Sequence, residues 1–270
     1  MRINNANSVW TQAALAASDK SASKSLQKLA TALRINNASD DAAGLSLSES
    51  LRSQIRDSQM SQRNASDGMA MLQIADAGTQ QISESLQRMR ELAIQSANGT
   101  LNDKDRKAIQ SEYSQLQQQI SGVAQGTTYN GKPLLTGKSS EVSFQVSGDT
   151  GGSVISYQNG TDLSAPLEVG SIDSAASAQK ALEGIDKVFQ SVMGMRSGIG
   201  ATMNRLDATA TNLGNAIPNL SDAESRIRDT DFASEIAQLA KSQILGRSSE
   251  AMMAQANQMP SGIMNLLRSA

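Results

Sequence analysis

Stepping alternately by three and four residues from Leu182 meets Ile185, Phe189, Val192, Arg196, Ile199, Met203, Leu206, Ala210, Leu213, Ile217, Leu220, Glu224 and Ile227. Only Arg196 and Glu224 break the apolar register. A period of 3.5 kept this long dictates a helix with a single seam, since a strand would alternate by two. No helix buries such a seam alone. The first half of the chain supplies complements: Gly68, Leu72, Ala75, Thr79, Ile82, Leu86, Met89 and Ala93 follow the same alternation, with Gly68 and Thr79 as weak members. A shorter seam comprises Ile109, Tyr113, Leu116, Ile120 and Val123. Three matching stripes predict a bundle. Aromatic residues make up only 3% of the chain. They normally supply much of a compact core's buried area, so long helices with thin seams are expected in place of a large globular core.

Local signals place the breaks. Asn98-Gly99-Thr100 predicts the end of the first long helix in a left-handed cap, and Asn102-Asp103 starts the next. Asn130-Gly131-Lys132-Pro133 stops the third seam, and Pro218 predicts a kink or boundary near Asn215–Pro218 because it removes a helical hydrogen bond. Between these helices the period falls to two: Val142, Phe144 and Val146 alternate with Ser143 and Gln145, Val154-Ile155-Ser156-Tyr157 follows, and Gly148 to Gly152 reads as a hairpin loop. Asp40-Asp41 reads as a helix start with Ser39 or Asp40 as N-cap, in preference to a carboxylate metal site. The expected fold is mainly α: a long antiparallel coiled-coil or helical bundle with a small central β-hairpin region. Residues 1–43 and 228–270 form terminal helices, 44–136 and 174–227 the bundle, and 137–173 the hairpin region.

Composition removes most chemistry. With no His and no Cys, neither Ser–His–Asp nor Cys–His nucleophile systems can be built, and the usual zinc ligand sets are absent. No spacing argues for a catalytic residue, a metal or a cofactor, so an enzyme is not expected. The net charge is −2 with no basic block, which argues against nucleic acid as a partner. The run Ala13-Ala14-Leu15-Ala16-Ala17 is too short for a signal peptide or a membrane span; these rules alone would place the chain in the cytoplasm. The methionines read as gap-fillers in seams and tail. The Asn-x-Ser/Thr triplets at Asn37, Asn64, Asn98, Asn159 and Asn219 read as chance products of a chain rich in Asn and Ser.

Both ends are amphipathic and apolar. An Ala-rich helical run spans Ser8–Ala38, and the tail carries Ile263, Met264, Leu266 and Leu267 almost to Ala270. Chain ends normally fray, so apolar patterning kept to the ends implies burial in an assembly.

Leu33 to Gly44, reading Leu-Arg-Ile-Asn-Asn-Ala-Ser-Asp-Asp-Ala-Ala-Gly, resembles the N-terminal signature of bacterial flagellins. Arg63–Gly68, Leu86–Thr100, Tyr129–Leu135, Glu224–Ala233 and the tail Leu245–Arg268, containing Ala254-Gln255-Ala256-Asn257-Gln258, extend the resemblance over about 1–136 and 174–270 in order. The short centre resembles a minimal form without large outer domains. The resemblance implies a protomer of a helical filament used for swimming motility, without a cofactor, packed through Leu26, Leu29, Leu33, Ile263, Leu266 and Leu267. It also implies secretion through the flagellar export apparatus to an extracellular filament, overturning the cytoplasmic reading. Implied partners are further copies of the chain, an export chaperone at the C-terminal segment, hook-junction and cap proteins, and the flagellin-sensing Toll-like receptor of hosts, with no nucleic acid and no membrane. That receptor would read Arg88, Leu92 and Glu112, which lie outside the seams and are expected to face a partner. O-linked sugars, where made, are expected on Ser139, Ser140, Thr150, Ser153 and Thr161. The alternative is a hook–filament junction protein, which shares the terminal-helix plan.

Overall fold

A computed structural model describes residues 6–137, 141–147, 154–157, 162–163 and 169–268, with side chains of the terminal helices described from residue 9 and up to residue 258. In chain order the elements are α1 (Ala6–Thr31), α2 (Ala42–Ala97), α3 (Asp103–Gly126), β1 (Thr128–Tyr129), β2 (Lys132–Pro133), β3 (Val142–Gln145), β4 (Val154–Tyr157), α4 (Ala175–Arg228) and α5 (Phe232–Arg268). The chain divides into two compact units, Met1–Ser53 with Asn219–Ala270, and Gln54–Pro218.

Within Gln54–Pro218, every α2 residue of the expected seam is buried, from Gly68 to Ala93. Met71, Ser83, Ser85, Leu92 and Ser96 are buried as well. A two-residue seam serves one neighbour, whereas α2 shares its core with residues of both α3 and α4, including Tyr113, Ile120, Ile185, Val192 and Ile199. Its buried face therefore widens to the i, i+3, i+4 pattern of a globular helix. The seam position Arg196 is accommodated by an ion pair, its Nε donating to Asp76 Oδ1 at 3.0 Å.

The turn between α2 and α3 departs from expectation. Gly99 is not left-handed. The last carbonyls of α2 and its turn are instead met by the buried Arg106, whose guanidinium donates to the carbonyls of Ser96, Asn98 and Leu101. One side chain thus satisfies acceptors that a glycine cap would otherwise serve. The start of α3 does follow the sequence: Asn102 Oδ1 accepts from the amides of Lys104 and Asp105 at 2.9 Å each, and Asp105 reaches back to the Asn102 amide, forming a capping box.

Asn130 and Gly131 have φ of +50° and +74° and join β1 to β2 in a two-residue hairpin, in place of the plain helix stop expected there. β3 and β4 pair antiparallel from Val142↔Tyr157 to Gln145↔Val154, as the alternation predicted. Their connecting loop lies outside the described residues, as do Ser139, Ser140, Thr150, Ser153 and Thr161. The segment Val169–Ile172 is stitched to the bundle by three side chains. Tyr113 Oη donates to Val169 O at 3.2 Å, Gln110 Oε1 accepts from Ile172 N at 2.6 Å, and Ser96 Oγ donates to Ile172 O at 2.5 Å.

Of the kink or boundary expected near Asn215–Pro218, the boundary is absent, because α4 continues through Pro218 to Arg228. The proline is exposed, and the carbonyl that loses its partner belongs to half-buried Gly214. Where solvent can satisfy the freed acceptor, the cost of an interior proline falls.

Candidate assembly surface

The unit Met1–Ser53 with Asn219–Ala270 is built on an antiparallel pair, α1 against α5. Its seam follows heptad spacing through Thr11, Leu15, Ser18, Ala22, Ser25 and Leu29 on α1, and through Glu235, Leu239, Ser242, Gly246 and Ser249 on α5, all buried or half-buried. The most enclosed of these are Ser18, Ser25, Ser242 and Gly246, all small. Ser242 Oγ donates to Ser21 Oγ at 3.0 Å, Ser18 Oγ returns to Ala14 O at 3.0 Å, and Lys28 approaches Glu235 at 3.6 Å. Small side chains bring the axes close but bury little apolar area. This seam aligns the helices without supplying a core.

Apart from Leu15, Leu29 and Leu239, the large apolar side chains lie outside it. Val9, Trp10 and Leu26 on α1, and Phe232, Ile236, Ile244, Leu245 and Met252 on α5, are all exposed, Trp10 at 76% and Ile244 at 68%. At about 100° per residue, Ile244 projects opposite the seam, with Ile236 and Leu245 on the two flanks. A helix apolar on its flanks and back is one that is surrounded, and a patch of this extent on one chain marks an interaction surface. Of the residues expected to pack a filament, Leu26 stands exposed. Leu29 is half-buried in the α1–α5 seam, and Leu33 is half-buried where it bridges to Asp229. The side chains of Ile263, Leu266 and Leu267 lie outside the described ones, although α5 extends over these positions.

The joint at the base of this pair is closed by short-range polar contacts. Ala32 takes φ of +58° to end α1. Leu33 bridges Asp229, with Arg34 N donating to Arg228 O at 2.6 Å and Thr230 N to Ala32 O at 3.0 Å. The N-cap of α2 is Asp41, which accepts from Gly44 N at 2.9 Å, one residue beyond the expected Ser39 or Asp40. Asp40 instead accepts from the amides of Asn36 and Asn37 and from Lys24 Nζ at 2.9 Å. The lysine hydrogen bond foremost, then the Asn37 amide, hold its carboxyl below the usual range. Arg228 does the same for Glu49 across 2.7 Å. Gly44 packs where a Cβ would overlap both Asp41 and Ile35. Among the described residues no group of His, Cys, Asp and Glu could hold a metal ion, and no helix is long and apolar enough to cross a membrane.

The receptor patch expected from resemblance is only partly at the surface. Arg88 is exposed, with Nε and Nη2 donating to Glu112 Oε1 at 3.0 and 2.8 Å and Nη1 to Glu91 Oε2 at 3.0 Å. Leu92 is 2% exposed and belongs to the core of Gln54–Pro218. Its expected exposure is corrected: Leu92 falls one turn from Arg88 but on the inner edge of the widened α2 face.

The outward residues Trp10, Ile236, Ile244 and Leu245 and the small-residue seam escaped the sequence reading. The signal was a heptad in which Ser, Ala and Gly outnumber the leucines, which looks polar unless the adjacent stripes are read beside it. A graded pair tests the seam. A Cβ at Gly246 would meet Ser18 Cβ at 3.9 Å, an ordinary contact. Gly246→Ala is therefore expected to leave the α1–α5 pair intact, whereas Gly246→Leu overfills it and is expected to separate the helices, read as loss of amide-exchange protection confined to α1 and α5. Equal protection in both variants would show that the helices are not close-packed there.

Residues 3–140 match the bacterial flagellin N-terminal helical region, and residues 182–267 match the bacterial flagellin C-terminal helical region. A flagellin of Halalkalibacterium halodurans is 41% identical over 248 residues, 91% of each chain. A flagellin of Bacillus subtilis is 35% identical over 304 aligned positions, covering 99% of this chain and 100% of that one. The crystal structure of Bacillus cereus flagellin is similar with a TM-score of 0.50 at 30% identity, covering 56% of this chain and 88% of that chain. A flagellar hook-associated protein from Vibrio parahaemolyticus shares the fold, with a TM-score of 0.58 at 19% identity over 70% of this chain.

Proposed function

The chain belongs to the bacterial flagellin family, and on that premise we propose that it polymerises through the apolar surface that α1 and α5 turn outward. It is a structural subunit of the flagellar filament. The observation that carries the mode of assembly is the patterning of that helix pair, in which the buried positions are the small residues Ser18, Ser25, Ser242 and Gly246 while Trp10, Ile236, Ile244 and Leu245 stand outside. Ordering a residue costs about 1–2 kcal/mol of backbone entropy, which a Ser- and Gly-lined seam repays poorly. Neighbouring copies supply the missing apolar contacts, so ordering of the ends and polymerisation are coupled. Contacts that repeat head to tail without closing build an open filament.

The family further suggests secretion to the cell exterior, an export chaperone on the exposed apolar C-terminal segment, and end-on contacts with hook-junction and cap proteins. For a host Toll-like receptor, the exposed Arg88–Glu112 pair offers charged groups, while Leu92 supports that face from beneath. The filament reading is preferred over a junction protein because whole-length similarity is to flagellins, whereas likeness to the hook-associated protein lies in the fold alone.

The test is regrowth. Heat-dissociated monomer added to short filament seeds is expected to elongate them, with helical circular dichroism increasing in step with length. Monomer that remains unassembled on intact seeds sinks the reading; growth without added helix leaves the filament but removes the coupling.

A further inference from the structure

Asn-Gly pairs begin at Asn98, Asn130 and Asn159, the last outside the described residues. In such a pair the glycine nitrogen can reach the asparagine side-chain carbonyl, because no Cβ hinders the approach. The two described pairs are held differently. Asn130-Gly131 has positive φ at both residues and is clamped by the paired strands β1 and β2. Asn98-Gly99 follows the last residue of α2 and is exposed at both positions. Thr100 N donates to Asn98 Oδ1 at 3.2 Å, an Asx turn that folds the side-chain carbonyl back toward the next peptide. The Gly99 amide donates to no acceptor among the described residues. Arg106 Nη2 donates to the main-chain carbonyl of the same asparagine at 3.0 Å. The guanidinium is buried, and its partners are carbonyls alone, those of Ser96, Asn98 and Leu101. The turn thus combines a polarised amide carbonyl, a free neighbouring N–H and a buried cation that no carboxylate answers.

We infer that Asn98-Gly99 is a site of spontaneous deamidation, promoted by the turn that joins α2 to α3. The Gly99 nitrogen loses its proton to water and attacks Asn98 Cγ, and the new C–N bond closes a succinimide ring. The turn supplies the proximity that this closure needs. Negative charge gathers on Oδ1 in the tetrahedral intermediate, where the Thr100 amide already stands to stabilise it. Collapse breaks the Cγ–Nδ2 bond and releases ammonia, its extra proton taken from water. A second water then opens the ring at one of two carbonyls. Attack at Cγ gives aspartate. Attack at the main-chain carbonyl carbon gives isoaspartate, whose chain runs on through Cβ and Cγ. Arg106 polarises the main-chain carbonyl, so the structure favours isoaspartate. That carbonyl then becomes a carboxylate facing the guanidinium, and a charge-assisted contact replaces a weaker one. Either product adds one negative charge to the formal −2 of the chain.

The step needs no second copy, so dissociated monomer tests it apart from the filament reading. Monomer is held folded at mildly alkaline pH and followed by peptide mapping, with fragmentation that separates isoaspartate from aspartate. Asn98 is expected to convert several-fold faster than Asn130, and the difference to vanish in guanidinium chloride, where the turn is lost. Conversion of Asn98 no faster than that of Asn130 in the folded chain overturns the inference, as does a difference that survives unfolding. The isoaspartate share at Asn98 is expected to be higher folded than unfolded, and an equal share overturns the part given to Arg106. Gly99→Ala tests the ring. Gly99 is not left-handed and a Cβ there meets nothing within 4 Å, so the variant is expected to keep the denaturant midpoint of the unmodified chain. Its conversion at Asn98 is expected to fall several-fold. Unchanged conversion would mean that water cleaves the amide directly and no ring forms.

Discussion

Replacing Ile236 and Ile244 together with Asp is expected to abolish filament growth while leaving the monomer folded. Both isoleucines are exposed in the single chain, at 55% and 68%, so their loss removes no packing within it, and surface changes of this kind normally alter stability by no more than about 0.5 kcal/mol. In the proposed assembly the same side chains are enclosed. Burying one isoleucine is worth roughly 1.5–3 kcal/mol, and each 1.4 kcal/mol is about tenfold in an equilibrium constant. Two such losses raise the critical concentration on the order of 10²- to 10⁴-fold, before any cost of burying carboxylates. Sedimentation of protein grown on seeds gives that concentration, and the denaturant midpoint of the unit Gln54–Pro218 serves as the control. Filaments at the unmodified critical concentration would mean that α1 and α5 are not surrounded by neighbours.

The second large effect is expected at Leu92. Truncation of an enclosed leucine costs about 2–5 kcal/mol, because a cavity remains after the transfer energy is lost. At 2% exposure within the α2–α3–α4 core, Leu92→Ala should fall in that range and move the denaturant midpoint visibly. Arg88→Ala should not, since its partners Glu91 and Glu112 are solvent-exposed and exposed ion pairs add little to stability. The contrast bears on receptor measurements: reduced signalling by a Leu92 variant would report disorder of the face as readily as a lost contact. A midpoint unchanged by Leu92→Ala would return that residue to the surface.

The bundle was legible because α2 and α4 repeat their apolar positions over many turns, and a repeat of that length has one physical reading. Leu92 was misplaced for a related reason. A heptad describes contact with one neighbour, whereas α2 has two, and the extra buried positions carry no separate signal in a single helix. The hairpin of Val142–Gln145 with Val154–Tyr157 was visible through its alternation, while the Asn130-Gly131 hairpin was hidden by strands of two residues each. Arg106 could not be seen to close α2, since a long cation beside a turn looks the same in sequence whether it caps carbonyls or points to water. Nor could the stitching of Val169–Ile172 by Ser96, Gln110 and Tyr113, whose partners lie 56 to 76 residues away in the chain. Pro218 does not end α4, because its cost depends on solvent access, which sequence does not encode.

The joint at Leu33 and Asp229 has a mechanical consequence. Between α1 and α2 the chain spends residues 32–41 outside helix, but between α4 and α5 only 229–231. Both interruptions occur at the level where the two strands of chain bridge. The two connections are tied to each other by Arg34 N to Arg228 O and Thr230 N to Ala32 O, and Arg228 is tied on to Glu49 of α2. A pull that reaches one connection is therefore handed to the other through these bonds, and the short one, with three residues to give, is the first to draw taut.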